Sequence, residues 1–413
     1  MREKIWKVKN RITAEEFENL GEEKFLEKVE ETLLDYRGLE GAEKKEFLNP
    51  QHPTELPPEV FGLSDEVLDN AATVVFSAIE EERPIIIHGD FDADGVCATS
   101  ILWKAIYRGL GYKKCLPFIP DRFEHGYGVS EASLREISNN KFQITNKDQK
   151  GLLITVDCGI TAEKEIKIAQ EMGWDVLVTD HHQPNYEERS NSPKPGLVRT
   201  FNLGLFPSDV PVVWTDRICG AGIAWLIAKR LTNYKFNPPA RFAESRRAGG
   251  PSSKGESAAD SVNNLLDLVA LATAADVMPL LGPNRSFIKY GLEILNECPS
   301  LGMQKLMKVA GVEQGNVQTY ELGWLLAPRI NAAGRLASAL DAVRLLCTEK
   351  PKKAQKLAEN LDRLNRERQD KTKYMVLLAQ ETAHKMYEEH KFLVVSHSEF
   401  HEGIIGLIAG KLT

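Results

Sequence analysis

The sequence predicts an α/β fold: a parallel sheet with helices on both faces, a long connecting helix, and the start of a second, smaller α/β domain. From Pro84 onward, short apolar runs alternate with helical segments, and such alternation forms right-handed crossovers within one parallel sheet. Residues 351–390 then keep helical periodicity with dense surface charge, and a further strand is predicted at 392–395.

The first elements of the sheet are marked by runs of Ile, Leu and Val between acidic or glycine turns. These runs predict strands at 85–87, 152–156 and 176–178. Helical periodicity predicts helices over 65–79, 96–110 and 162–172. The strands therefore alternate with helices long enough to cross from one strand to the next.

The segments group into four predicted ranges. They are a helical N-terminal extension (1–68), an α/β domain (69–350), the connecting helix (351–390) and an incomplete second domain (391–413). Residues 232–264 are rich in Gly, Pro and Ser, which predicts a mobile surface loop inside the α/β domain. The chain stops at Thr413 within a predicted helix, so we expect the second domain to be cut short.

Composition restricts the class of protein. The chain has 413 residues, 42% of them hydrophobic, and a formal net charge of −7. No apolar run approaches the ~20 residues of a membrane span, and the charged N-terminus lacks the apolar core of a secretion signal. Six cysteines without metal-type spacing are typical of reduced thiols, so we expect a cytoplasmic protein. The net charge argues against nucleic acid only weakly, because acidic outer helices can coexist with a basic groove.

The most informative segment is His88-Gly-Asp90-Phe-Asp92-Ala-Asp94-Gly95. It joins the first predicted strand to the next helix, and the carboxyl end of a strand is where an open α/β sheet binds its ligand. Carboxylates this close repel one another unless a cation or protons neutralise them. The segment therefore predicts a metal site.

Three more apolar runs end in metal-type ligands, and we interpret all three as strands. They are 154–156 before Asp157, 177–179 before Asp180-His181-His182, and 268–275 before Asp276. A single acidic strand end usually just caps the following helix, and a lone histidine is more often a packing residue than a ligand. Four such ends in one parallel sheet, however, converge on one edge. Mixed imidazole and carboxylate ligands suit Mn²⁺ well and Mg²⁺ less fully, and they lack the thiolates of structural zinc.

Taken together, these segments resemble the successive motifs of the DHH phosphoesterase superfamily, and in particular its RecJ-like single-strand exonucleases. Further segments similar to that branch are 119–128, 156–160, 220–222, 328–335 and 401–406. The resemblance covers roughly residues 65 to 413 apart from the 232–264 loop. It identifies 69–350 as a DHH phosphoesterase domain and 391–413 as part of a DHH-associated substrate-binding domain.

The resemblance implies two divalent cations, with Mn²⁺ preferred over Mg²⁺, and a role for each ligand. His88, Asp92 and Asp157 would hold the first cation, and Asp94, Asp157, His181 and Asp276 the second. Asp157 would bridge the two, so it counts as catalytic together with His182, which would contact the scissile phosphate. Asp90 and Asp180 would not bind a cation directly but would orient the residues that do.

The resemblance also implies residues that hold the substrate. Arg122, Arg329 and Arg335 would bind DNA phosphates, although a single surface arginine more often pairs with an acid. Asn331 lies between the last two, in a loop of small residues. Tyr127 either stacks on a base or only marks a tight turn. In the second domain, the candidates at a natural anion site are Ser396, His397, His401 and Gly403; a plain strand-to-helix turn is the alternative there.

The function implied is hydrolysis of single-stranded DNA from the 5′ end to mononucleotides, in DNA repair and recombination. One alternative is a DHH phosphodiesterase acting on short oligonucleotides or cyclic dinucleotides, although such enzymes tend to lack the N-terminal segment and the 328–335 motif. Another is a noncatalytic RecJ-like replication scaffold, which would have lost ligands. The implied partners are single-stranded DNA, a single-strand-binding protein and a RecQ-type helicase, and the protein itself is expected to be a monomer.

Overall fold

The computed structural model describes residues 13–139, 150–184, 206–207, 209–233, 262, 264–386 and 392–412. The chain divides into two compact units, Met1–Gln51 and His52–Thr413. The domain ranges given above stay predictions. Almost all of the predicted 232–264 loop lies outside the described residues.

The first unit contains two helices, α1 (Ala14–Tyr36) and α2 (Ala42–Leu48). Gly21 interrupts α1 with a φ of 70°, which a glycine adopts without steric cost. Leu34 and Leu39 are buried within this unit. Most of the described residues of this unit therefore lie in helices.

The second unit is built on a five-stranded sheet, and all of its strands are parallel. The strands are β1 (Ile85–Gly89), β2 (Cys115–Phe118), β3 (Gly151–Val156), β4 (Trp174–Asp180) and β5 (Val212–Trp214). Their order is β2-β1-β3-β4-β5, so the two strands that follow β1 in the chain, β2 and β3, lie on opposite sides of it. The crevice beyond the carboxyl ends of β1 and β3 is the place where such a sheet binds ligands.

Helices cover both faces of this sheet, which confirms the predicted fold class. In chain order they are α3 (Asp65–Glu80), α4 (Ala93–Trp103), α5 (Glu131–Asn139), α6 (Glu163–Glu171), α7 (Gly220–Asn233), α8 (Leu266–Ala275), α9 (Gly282–Glu297), α10 (Leu301–Ala310), α11 (Ala327–Leu336), α12 (Leu340–Cys347), α13 (Pro351–Met386) and α14 (Ile405–Leu412). A 3₁₀ turn (Pro58–Phe61) precedes α3, and π-helical turns extend α4 (Lys104–Gly109) and lead into α11 (Glu321–Leu326). Ile85 and Ile87 face one apolar core while Ile86 faces the other, because neighbouring side chains of a strand point to opposite faces.

Two predicted strands are wrong. The run 268–275 belongs to helix α8, where Leu268, Val269 and Leu271 are completely buried. A run that is apolar on every side has no period, so it looks the same for a buried strand and a buried helix, and its four alanines favour the helix. Residues 392–395 form no strand among the described residues, and Phe392 and Val394 are exposed. An isolated strand lacks the hydrogen-bonding neighbour that would stabilise it.

The long helix α13 begins at Pro351, as predicted, and its described part ends at Met386. Its 36 residues span ~54 Å at the helical rise. Leu361 and Leu364 lie on one side of α13 and belong to the main apolar core, so these side chains serve packing. Over the described ranges we find no helix with both the length and the apolar composition that crossing a membrane requires.

Candidate metal centre

The acidic strand ends meet at one edge of the sheet. Three sets of side chains each place one possible ligand atom per residue within 4.8 Å of the others. The sets are Asp90, Asp92 and Asp157; Asp94, His181 and Asp276; and Asp157, His181 and His182. Asp157 and His181 each belong to two sets, so they lie at the middle of the cluster.

The centre of the cluster has the chemistry of a cation site. The Nε2 atom of His181 lies 3.0 Å from Asp157 Oδ1, 3.5 Å from Asp94 Oδ2 and 3.8 Å from Asp276 Oδ2. Asp157 Oδ1 and His181 Nε2 are both buried, yet neither makes a well-formed hydrogen bond with a residue that the structure describes. Leaving buried polar atoms unsatisfied costs free energy. A divalent cation among these oxygen and nitrogen atoms would satisfy them, so the residues present fit such an ion.

Burial and repulsion among the carboxylates show the same need for positive charge. Burial raises the pKa of Asp90 to about 8, and the neighbouring charge of Asp92 adds to the shift. Burial and the charge of Asp94 raise the pKa of Asp276 to about 6 and that of Asp157 well above its ordinary value. Without a cation, the cluster therefore holds protons that ordinary aspartates release.

Tight backbone turns bring the first carboxylates together. Asp92 caps helix α4 and accepts hydrogen bonds from the backbone N–H groups of Asp94 (2.9 Å) and Gly95 (3.1 Å). A Cβ atom on Gly95 would lie 2.5 Å from the backbone oxygen of Asp90, so only glycine fits there. Asn331 lies in helix α11 and not in the predicted loop of small residues, and it supports the same turn because its Oδ1 accepts the N–H of Ala93 at 2.7 Å.

Helix α7 holds the other side of the cluster. Its first two N–H groups, from Gly220 and Ala221, each donate to the Asp94 carboxylate at 2.7 Å, at the positive end of the helix dipole. Asp157 has a φ of 59°, a left-handed conformation that is uncommon for non-glycine residues and recurs at functional sites. A Cβ atom on Gly220 would lie 2.7 Å from Asp157 Cβ, so glycine allows this close approach.

Asp180 orients the two histidines. Its Oδ1 atom accepts the backbone N–H groups of His181 (2.7 Å) and His182 (3.1 Å), and it lies 2.8 Å from His182 Nδ1. Burial alone would raise the pKa of Asp180, but these hydrogen bonds lower it. The same contact raises the pKa of His182 to about 9, so this imidazole is protonated at neutral pH.

His88 lies outside the three sets, although the resemblance implies that it is a ligand. Its Nε2 is 3.2 Å from Ser133 Oγ, and its Nδ1 is 3.8 Å from Cys158 Sγ. Burial lowers the pKa of His88 to about 4, so the ring is neutral. His88 is still paired within β1, opposite Phe118, and its ring therefore lies over a face of the sheet instead of beyond the strand end.

Known proteins similar to this chain indicate its family. Residues 84–273 match the DHH family, N-terminal domain. The chain is 31% identical to the single-stranded-DNA-specific exonuclease RecJ of Bacillus subtilis (strain 168), over 98% of this chain and 46% of that protein. It is 34% identical to the protein of the same name from Thermus thermophilus, over 90% of this chain and 47% of that protein.

A solved structure described as exonuclease RecJ bound to manganese is 32% identical, with a TM-score of 0.63, and the match covers 84% of this chain and 76% of that one. This chain belongs to the RecJ branch of the DHH family. The resemblance stated from the motifs is confirmed. The chain spans about half the length of the curated RecJ relatives that it matches.

In this RecJ-type chain, two predicted substrate residues border the metal cluster. The Arg122 guanidinium lies over the Phe91 ring, 4.1 Å from its centroid. The Tyr127 ring meets Phe91 edge-on at 5.9 Å and His182 at 6.4 Å. Phe91 sits between Asp90 and Asp92, so both side chains lie beside the candidate ligands.

Other predicted substrate residues lie on the side of α11 and the C-terminal segment. Arg335 donates to the Gly403 backbone oxygen at 3.0 Å, and His401 packs edge-on against Phe123 at 5.6 Å. Ser396 and His397 are exposed, and no contact joins them to the cluster within the described residues.

The sequence interpretation gives one residue of this region a different role and leaves out another. Asp90 was assigned an orienting role, yet its carboxylate is in one of the three sets. Its position directly after the last paired residue of β1 is the signal that was available. Arg368 of α13 was not considered; it is close enough to Arg335 that its charge, after burial and the charge of Arg122, helps to lower the pKa of Arg335. Nothing in the local sequence around Arg368 shows that α13 passes there.

Arg329 makes an ion pair instead of facing the cluster. Its Nε and Nη2 atoms lie 3.0 and 2.9 Å from the carboxylate of Asp362 in α13, and both side chains are largely buried. We expect Arg329→Ala to lower the free energy of unfolding by roughly 3 kcal/mol, because it leaves a buried carboxylate with one partner fewer. Urea unfolding measures this change. Mn²⁺ affinity should stay unchanged, and a variant of full stability that binds DNA poorly would restore the phosphate role.

Proposed function

We propose that this chain hydrolyses phosphodiester bonds with two divalent cations, and that it digests single-stranded DNA from the 5′ end to mononucleotides. The observation that carries the proposal is the overlap of three possible ligand sets at Asp157 and His181. Its curated relatives are named single-stranded-DNA-specific exonucleases, which supports the substrate. The retention of so many ligands favours an enzyme over a noncatalytic scaffold.

The residues divide into two cation positions that share Asp157. Asp90, Asp92 and Asp157 would hold one cation, and Asp94, His181 and Asp276, with Asp157 between them, the other. Asp90 thus takes the place that the resemblance gave to His88. Mn²⁺ suits this mixture of carboxylates and imidazole, with Mg²⁺ as the alternative, and a RecJ structure described as manganese-bound supports the choice. When bound, such a pair supplies an activated water and neutralises charge on the scissile phosphate.

The protein's own contribution is to orient and neutralise. Asp180 engages His182 Nδ1, which leaves Nε2 of the protonated ring to bind a phosphate oxygen. Arg122 and Tyr127 would bind the strand beside the cluster, and Arg335, His401 and Gly403, which lie near Arg122, would bind it together with them. Ser396 and His397 stay predictions. The proposed partners, a single-strand-binding protein and a RecQ-type helicase, and the monomeric state also rest on the resemblance, and the proposed cytoplasmic location rests on the composition of the sequence.

A nuclease assay with Mn²⁺ tests this function. We expect release of mononucleotides from single strands with a free 5′ phosphate, and rates at least about tenfold lower on strands blocked at the 5′ end and on blunt duplex. A strand blocked at the 3′ end is the matched control and should be digested at the unblocked rate. If the chain cleaved dinucleotides but no longer strand, the alternative function would be favoured, namely a phosphodiesterase that acts on short oligonucleotides. No cleavage of any of them would favour the scaffold.

A further inference from the structure

An exposed aromatic pair precedes helix α11. Tyr320 and Trp324 are 60% and 72% exposed, and their rings lie within 24° of parallel with centroids 6.4 Å apart. Trp324 is the only tryptophan among the described residues that is mostly exposed. Burying an aromatic side chain of this size is strongly favourable. Its position in water therefore indicates a surface that binds something with a flat, apolar face.

Two packing relations place this aromatic pair near the cluster of candidate metal ligands. The π-helical turn Glu321–Leu326, which carries Trp324, packs against α8, and α8 ends at the candidate ligand Asp276. The π-helical turn also continues directly into helix α11, where Asn331 contacts the turn that holds the first carboxylates. Asn331 follows Trp324 by seven residues, which is ~10 Å along a helix. π-helical turns of this kind occur frequently at functional sites.

A second exposed apolar segment adjoins the same ligand. Val277 follows Asp276 directly, is 84% exposed, and has a φ of 55°. A β-branched residue in the left-handed region is strained, and such strain concentrates at ligand-binding positions. Leu281, four residues further on, is also exposed. The side of the cluster at Asp276 is thus flanked by apolar surface, whereas the side at Phe91 carries Arg122.

We propose that Tyr320 and Trp324 form a base-stacking platform for the single strand whose backbone reaches the metal cluster. This inference rests on the proposed function and adds a basis for its preference for single strands. Unpaired bases offer their faces to aromatic rings, whereas the bases of a duplex are stacked on one another. Stacking is tolerant of base identity, so the platform binds a strand of any sequence. Continuity with the cluster favours nucleic acid over a protein as the occupant.

Binding in the presence of a chelator tests the platform without cleavage. We expect a 20-residue oligothymidylate to quench the tryptophan fluorescence of the full chain and to bind at least about fivefold more tightly than an abasic strand of equal length. Trp324→Ala and Tyr320→Ala should each remove most of that difference. Trp324→Phe should preserve it without the quenching. Tyr36→Ala, which removes another exposed aromatic ring in helix α1, should bind as the wild type does.

Two outcomes would overturn the platform. One is equal affinity of the wild type for the thymidine and abasic strands. The other is a change of oligomeric state in Trp324→Ala, seen by light scattering, which would assign the rings to a contact between copies of the chain. The proposed function is judged separately by Mn²⁺-dependent release of mononucleotides from 5′-phosphorylated single strands by the wild type. Failure of that cleavage leaves the stacking measurement in chelator standing.

Discussion

Asp157→Asn is expected to reduce Mn²⁺-dependent cleavage of 5′-phosphorylated single strands by at least about a thousandfold, because two-metal catalysis depends on a negative ligand shared by both cations. Asp157 is the only residue that lies in a set with Asp92 and also in a set with His181. The amide has one neutral oxygen in place of a carboxylate, so it cannot hold two cations at a short separation. Single-turnover cleavage with excess enzyme measures the loss.

Asparagine is chosen so that the substitution does not disturb the backbone conformation at residue 157. Asp157 has a left-handed φ of 59°, which asparagine tolerates better than alanine does. Asp341→Asn, on the surface of α12, is the matched control and should keep the wild-type rate. Calorimetric titration with Mn²⁺ should show fewer ions bound per chain in Asp157→Asn. If that variant bound the same number of ions and cleaved at the wild-type rate, the assignment of the metal centre would be wrong.

The parts of the site that lie on strand ends could be predicted from the sequence. The strands β1, β3 and β4 are short runs of branched apolar residues with clear boundaries, and the parallel sheet brings their carboxyl ends to one edge. Asp157 and His181 follow from this rule alone. The sequence could not show whether Asp276 ends a strand or a helix, yet its position beside His181 was predicted correctly for the wrong element.

Two further differences from the sequence interpretation concern where a side chain points. His88 and Asp90 are two residues apart, but His88 still lies within the paired strand and Asp90 lies beyond it, so their side chains reach different places. Arg329 faces Asp362, which is 33 positions away in another helix. Such contacts depend on how helices pack in the tertiary structure, and residue spacing does not encode them. The sequence motifs thus indicate where the site lies better than they indicate the role of each residue in it.

We expect the metal-free chain to lose thermal stability as the pH rises from about 6.5 to about 8, because the cluster carries protons in the folded state. Burial and repulsion raise the pKa of Asp90 to about 8, against 3.8 ordinarily, and the contact with Asp180 raises that of His182 to about 9, against 6.5 ordinarily. In this range the folded state binds more protons than the unfolded state, so the free energy of unfolding falls with pH. His88, whose pKa burial lowers, contributes with the opposite sign mainly below about 6.5, and this contribution fades within roughly one pH unit above that value.

Mn²⁺ should reverse this trend. The ion replaces the protons of the cluster, so it binds more tightly as the pH rises. An ion at a hundred times its dissociation constant adds about 2.7 kcal/mol per site, which for a chain of this length raises the melting temperature by about 3 °C per site and roughly 6 °C for both. The increment should be larger at pH ~8 than at pH ~6.5 and smaller in Asp157→Asn. Differential scanning calorimetry in chelator and in Mn²⁺ measures both slopes. A metal-free chain whose stability stays level or rises over this range would show that the carboxylates are not gathered as the distances around His181 indicate.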